Sequence, residues 1–149
     1  MYKVYDMWPQ IAKNSYSSEL APIDFKNITD IVLAGMGGSG SIHDILSAVL
    51  SKTNVHVNVV KGYHLPSTAN PNTLVITTSV SGNTTETITV LDAARKSGHK
   101  IIAFSDGGRI EDYCIKNKIE HRHIPTYHSP RASFRSEEHT SELQSRQYL

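Results

Sequence analysis

The sequence predicts an α/β domain: a five-stranded parallel sheet with helices packed on both faces. Three observations carry that expectation. Short β-rich runs alternate with amphipathic stretches between Asn27 and Ile124. The connections are short and marked by glycine and serine. The run "NTLVITTS" has a continuous apolar centre, which suits a strand buried on both faces. Strands alternating with helices in this way close into a parallel sheet, because each parallel crossover needs a helix.

The elements follow in order. Tyr5 to Ser18 sets Met7, Trp8, Ile11 and Tyr16 at loosely helical spacing, predicting a leading helix that packs on the core. "NITDIVLAG" (Asn27–Gly35) reads as the first strand. Ser39 is a suitable N-cap for a helix reaching about Leu50, with Ile42, Ile45, Leu46, Val49 and Leu50 as its buried stripe. "NVHVNVV" (Asn54–Val60) alternates strictly and gives the second strand, and Asn72–Ser79 the third. Asn83 or Thr84 opens a helix carrying Ile88, Val90, Leu91 and Ala94 and stopping near Gly98. Lys100–Ser105 is the fourth strand, "RIEDYCIKNK" a short helix, and Ile119–Ile124 the fifth strand.

Composition narrows the function classes. A chain of 149 residues with 38% hydrophobic content can bury one domain core. A net charge of +1 gives no sign of a nucleic-acid footprint, since such domains usually show a concentrated basic face. The single cysteine, Cys114, has no partner for an internal disulfide or a metal set and reads as a partly buried thiol in a reducing compartment. No apolar run approaches the roughly 20 residues that cross a bilayer. "MYKVYDMWPQ" lacks a signal peptide's apolar stretch, so the expectation is a cytoplasmic protein with no membrane partner.

Two loops at C-terminal strand ends carry unusual chemistry. "GMGGSGS" (Gly35–Ser41) follows the first strand, and Gly35, Gly37 and Gly40 match G-x-G-x-x-G. A dinucleotide site also wants an acid about 20 positions on for the ribose. No Asp or Glu occurs between Asp44 and Glu86. A P-loop wants Lys-Ser or Lys-Thr directly after the glycines, where this chain has Ser41-Ile42. What remains is a set of bare backbone N–H groups at a helix N-terminus, suited to an anion.

In "SVSGNTTET" (Ser79–Thr87), Ser79 and Ser81 alternate, so an extended chain points both hydroxyls the same way. With Thr84 and the N-terminal amides of the next helix they form a neutral donor cup for one phosphate group. A triphosphate would demand a lysine or metal; a sugar monophosphate does not. No cofactor and no metal are expected. His121 and His123 share a strand face without a third ligand and read as rim histidines. His43 falls near the start of the glycine-loop helix, where an extra positive charge is disfavoured, and is left out of the expected site.

"GMGGSG" with "S-x-S-G-N-T-x-E-T" resembles the sugar isomerase (SIS) domain, which binds phosphorylated sugars in a three-layer sandwich. "KGYHLP", "LVITTSVSGNTTET", "SDGG", "IP" and "PRAS", in this order, make it similar to the bifunctional phosphoglucose/phosphomannose isomerase family from about Asp30 to Ser133. The resemblance implies that Gly37, Gly38 and Ser39 line a hexose 6-phosphate pocket and that Ser79, Ser81 and Thr84 hold its phosphate. It implies a catalytic role for Arg131, steadying negative charge on an enediol-like intermediate. Val80 stands where the family commonly has tyrosine, Asp106 intrudes beside "GG", and "PTYHSPRAS" replaces a glycine-richer segment.

The same resemblance implies interconversion of glucose 6-phosphate or mannose 6-phosphate with fructose 6-phosphate by a homodimer. It places the base and acid, a glutamate and a histidine, in a second SIS domain and across a subunit interface. Residues 1–25 then form a leading helix and linker, and 26–134 the SIS domain. "RSEEHTSELQS" resembles translated sequencing adapter, so 135–149 is expected to be a foreign tail, with the second domain missing. The alternative is a SIS sensor domain of a transcriptional regulator, which would usually follow a basic helix-turn-helix domain.

Overall fold

The computed structural model describes residues 6–17, 22–23 and 25–124. Its elements are α1 (Trp8–Ser17), β1 (Asp30–Ala34), α2 (Gly37–Leu50), β2 (His56–Val60), β3 (Thr73–Ser79), α3 (Thr85–Lys96), β4 (Lys100–Ser105), α4 (Gly108–Asn117) and β5 (Glu120–His123). The strands form one parallel sheet in the order β2-β1-β3-β4-β5. The expected fold class is borne out, and each expected strand and helix is present.

Register explains the two faces. Leu33 pairs with Ile76 and Ile76 with Ile102, which places all three on one face. Val32, Val75 and Ile101, with Ala34 and Ala103, lie on the other. There they join Val90, Leu91 and Ala94 of α3 and Ile110 and Cys114 of α4 in one buried cluster. Right-handed crossovers require this division, since β1–α2–β2 runs one way along the sheet and β3–α3–β4–α4–β5 the other. β3 is buried at every position but Ile76, as its apolar centre predicts. Cys114 is fully buried, more so than expected, and burial raises its pKa to about 11.

Two packing expectations fail. Helix α2 begins at Gly37 with Met36 as its N-cap, so Ser39 lies inside the first turn and caps nothing. Its sheet-facing residues are Ser39, Gly40 and His43, whereas Ile45, Leu46 and Val49 are 61%, 41% and 63% exposed. At 100° per residue the apolar stripe is rotated about a third of a turn from the buried face. Small residues face the sheet because the helix approaches it closely: a Cβ on Gly40 would lie 2.9 Å from the Gly35 carbonyl oxygen. The expected packing of α1 also fails in part, since Met7 and Tyr16 are exposed.

Candidate functional site

The order β2-β1-β3 puts two adjacent strands, β1 and β3, whose crossovers leave in opposite directions. Ligands of open α/β sheets bind at such a switch point, beyond the carboxyl ends of the strands. The glycine turn of α2 and the serine turn before α3 both lie there. Every residue expected in the phosphate cup is among the described residues; Arg131, expected as the catalytic residue, and the rest of the segment 125–149 lie outside them.

Neither α2 nor α3 has a side-chain hydrogen bond capping its N-terminus. The first helical bonds are donated by Gly40 to Met36 and by Ile88 to Thr84. The N–H groups of Gly37, Gly38 and Ser39, and those of Thr85, Glu86 and Thr87, precede those bonds and have no intrahelical acceptor. Thr84 is N-cap by backbone alone because its hydroxyl is turned to Ser79, with Oγ atoms 2.8 Å apart. Ser79 is buried at the strand end, and Ser39 is buried in the α2 turn. The structure thus joins Ser79 to Thr84 and places both beside one of the two uncapped helix ends.

Ser81 is arranged differently from expectation. The chain leaves β3 after Ser79 and turns, with Gly82 N–H donating to the Ser79 carbonyl at 3.0 Å. Ser79 and Ser81 therefore do not share an extended stretch. Ser81 is exposed, and its hydroxyl accepts the Asn83 N–H at 3.3 Å.

A third helix, α4, also starts at this end of the sheet, but two amides of its first turn are taken. Ile110 N–H donates to the Gly82 carbonyl at 2.9 Å and Arg109 N–H to Asn83 Oδ1 at 3.3 Å. Asp106 N–H adds a bond to the Val80 carbonyl at 3.1 Å. This clamp requires glycine at two contacts. Gly82 has φ +66°, and a Cβ there would sit 1.7 Å from the Gly107 carbonyl oxygen. Gly108 has φ +70° and lies against the Ser81 carbonyl.

The remaining polar groups sit around the turns. Glu86 accepts the Tyr63 hydroxyl at 3.1 Å, which raises the phenol pKa. Lys61 pairs with Asp44 at 2.6 Å, and its stem packs on Gly40. His121 bonds Ser105 at 2.8 Å and His123 approaches Asp106 at 3.3 Å, so each has a local partner. Among the described residues no group of three His, Cys, Asp or Glu side chains could hold a metal. No helix among them is long and apolar enough to cross a membrane.

Sequence reasoning missed His43. Expected at the margin, it is 1% exposed, with Nε2 hydrogen-bonded to Thr78 Oγ1 at 2.9 Å. Burial lowers its pKa from 6.5 to about 4, with Lys61 adding to the effect and Asp44 opposing it. The imidazole is neutral at pH 7, so the charge argument against it does not apply. Its position four residues after Ser39, on the same helix face, was the available signal.

The fold is an α/β domain with a pair of uncapped helix ends at the switch point of a five-stranded parallel sheet, a place suited to an anion. The chain belongs to the SIS domain family, whose model matches residues 24–120. It is 35% identical over 133 residues to the bifunctional phosphoglucose/phosphomannose isomerase of Caldicellulosiruptor bescii, covering 87% of this chain and 39% of that protein. The chain therefore spans about two fifths of that relative's length. Among solved structures it resembles tagatose-6-phosphate ketose/aldose isomerase from Escherichia coli, with a TM-score of 0.53 and 21% identity over 67% of this chain and 30% of that one. It also resembles the sugar isomerase domain of the RpiR transcription factor from Sphaerobacter thermophilus, with a TM-score of 0.56 and 18% identity over 70% of this chain and 60% of that one. At these identities the two structures speak for the fold alone.

Proposed function

We propose that this chain is the phosphate-binding half of an aldose–ketose isomerase that interconverts glucose 6-phosphate or mannose 6-phosphate with fructose 6-phosphate. The observation that carries the reading is the pair of uncapped helix N-termini flanking the Ser79–Thr84 hydroxyl pair. Each helix end presents about half a positive charge together with free N–H donors. Gly37, Gly38 and Ser39 on one side, and Ser79 and Thr84 on the other, hold the phosphate of a hexose 6-phosphate. The cradle donates hydrogen bonds without a metal or cofactor, and the rest of the sugar extends toward the second domain.

Isomerisation moves a proton between C1 and C2 through an enediol-like intermediate and needs a positioned base. In this reading Arg131 stabilises the negative oxygen, while base and acid come from the remainder of the longer protein and from a partner subunit in a homodimer. Resemblance to the C. bescii isomerase, much the longer protein, supports this assignment. The lone buried Cys114 agrees with a reducing, cytoplasmic setting. A sensor domain is the second reading, since a cradle that binds a sugar phosphate without an assigned base or acid among the described residues would serve recognition as well as catalysis.

Calorimetric titration tests the binding half. Fructose 6-phosphate should bind and NAD should not, and Ser79→Ala or Thr84→Ala should weaken binding about tenfold, the cost of one hydrogen bond to a charged group. Tighter NAD binding, or unchanged affinity in both variants, refutes the cradle. A coupled isomerase assay separates the two readings: this chain alone gives no turnover, and a version extended to the relatives' length does. Turnover by the present chain that disappears in Glu86→Gln would instead make Glu86 the base.

A further inference from the structure

The two turns of the cradle are far apart in sequence, and one side chain joins them. His43 lies one helical turn beyond Ser39 and is buried between α2 and the end of β3. Its Nε2 meets Thr78 Oγ1 at 2.9 Å across 35 positions of sequence. Thr78 immediately precedes Ser79, and successive residues of a strand point to opposite faces. Thr78 is therefore held from the α2 face, while Ser79 is held from the α3 face by Thr84 at 2.8 Å.

Gly35 completes the fit. A Cβ there would lie 3.0 Å from His43 Cε1, 3.0 Å from the Thr78 carbonyl oxygen and 3.1 Å from Ser39 Cβ. Only a bare backbone lets the imidazole rest against the glycine turn. His43 Nδ1 is buried with no hydrogen-bond partner among the described residues. An apolar side chain would remove that orphaned atom, so packing alone gives no reason for histidine here. The Nε2 bond to Thr78 gives one.

We propose that His43 is a positioning residue, which through Thr78 fixes the glycine turn of α2 relative to the serine turn of α3 and so sets the width of the phosphate cradle. The inference rests on the phosphate-binding reading above and adds the device that holds its two halves in register. His43 does not touch the ligand; it acts through the backbone at Gly35–Ser39 and Thr78–Ser79. A neutral imidazole suits this place, since it adds no charge that a nearby phosphate could pull out of position.

The test compares variants that remove the bond with variants that keep one. His43→Leu and Thr78→Val lose it; His43→Gln and Thr78→Ser retain a hydrogen-bonding group. Fructose 6-phosphate affinity is read by calorimetry under conditions where circular dichroism shows each variant folded. His43→Leu and Thr78→Val should bind about tenfold more weakly, and the two conservative variants within about threefold of the parent. Folded His43→Leu or Thr78→Val that binds like the parent overturns the proposal, even with a lowered melting temperature. If His43→Leu does not fold, Thr78→Val decides alone. Hydrogen exchange without ligand separates the two ideas. Should the parent bind no hexose phosphate, the cradle reading fails. Exchange at least tenfold faster in Thr78→Val, confined to the hydrogen-bonded amides of Gly35, Gly40, Gly82 and Asn83, would then still support His43 as the positioning residue. Unchanged exchange there would overturn it.

Discussion

Lowering the pH from 7.5 to 5.0 should destabilise this fold through His43 in particular. The unfolded chain takes up a proton on this imidazole near 6.5, while the folded protein resists protonation until about 4. A base with a depressed folded pKa leaves the protein at full stability above 6.5 and weakens it as pH falls toward 4. The difference of about 2.5, at about 1.4 kcal/mol each, gives a full loss of ~3 kcal/mol below pH 4. At pH 5.0 the same two values give a loss of ~2 kcal/mol. Other histidines and the carboxylates titrate too, so the measurement is a comparison. Urea unfolding followed by circular dichroism is run at both pH values on the parent and on His43→Gln. The stability drop on acidification should be ~2 kcal/mol smaller in the variant, whatever its own stability at pH 7.5. An equal drop in both would show that His43 is protonated in the fold and would remove the argument for a neutral, buried imidazole.

Other outcomes follow from the packing. Gly82→Ala should cost about 3 kcal/mol or more, because the turn combines φ +66° with a Cβ position 1.7 Å from the Gly107 carbonyl oxygen; a melting-temperature fall of less than about 5 °C would contradict the clamp. Cys114, fully buried with its pKa raised to about 11, should resist a disulfide reagent in native buffer and react at once in denaturant. Rapid labelling without denaturant would place the thiol at the surface. Leu91→Ala should cost about 2–5 kcal/mol, since Leu91 is 0% exposed, whereas Val49→Lys on the outward side of α2 should change stability by less than about 0.5 kcal/mol. The reverse order would mean that the α2 stripe, not the polar face, meets the sheet.

The strands were readable because their signals are local. The continuous apolar centre of Thr73–Ser79 and the glycines that end its neighbours mark each boundary to within a few residues. The rotation of α2 was not readable. Ile42, Ile45, Leu46 and Val49 carry the usual signature of a buried face, but the helix meets the sheet through Ser39, Gly40 and His43. Close approach selected small residues there, and periodicity weighs residues by hydrophobicity and ignores how near the backbones come. At the site, the places of Gly37, Gly38, Ser39 and Thr84 at helix N-termini and of Ser79 at a strand end were legible. The Ser81 geometry was misjudged because the chain turns one residue earlier than an extended reading allows. His43 and Thr78 were illegible as a pair, since a contact across 35 positions leaves no trace in spacing.

The clamp between the serine turn and α4 has a consequence for how a ligand is received. Three backbone N–H groups, from Asp106, Arg109 and Ile110, hold Val80, Gly82 and Asn83 from outside. A turn tethered in this way cannot close over a ligand without breaking bonds that nothing else would replace. Its shape is set before binding, and little conformational entropy is left to lose when an anion arrives. Affinity then depends on preorganisation as well as on contact. Substitutions at Gly107 or Gly108, which need touch no ligand atom, should weaken binding by loosening a frame that is otherwise assembled in advance.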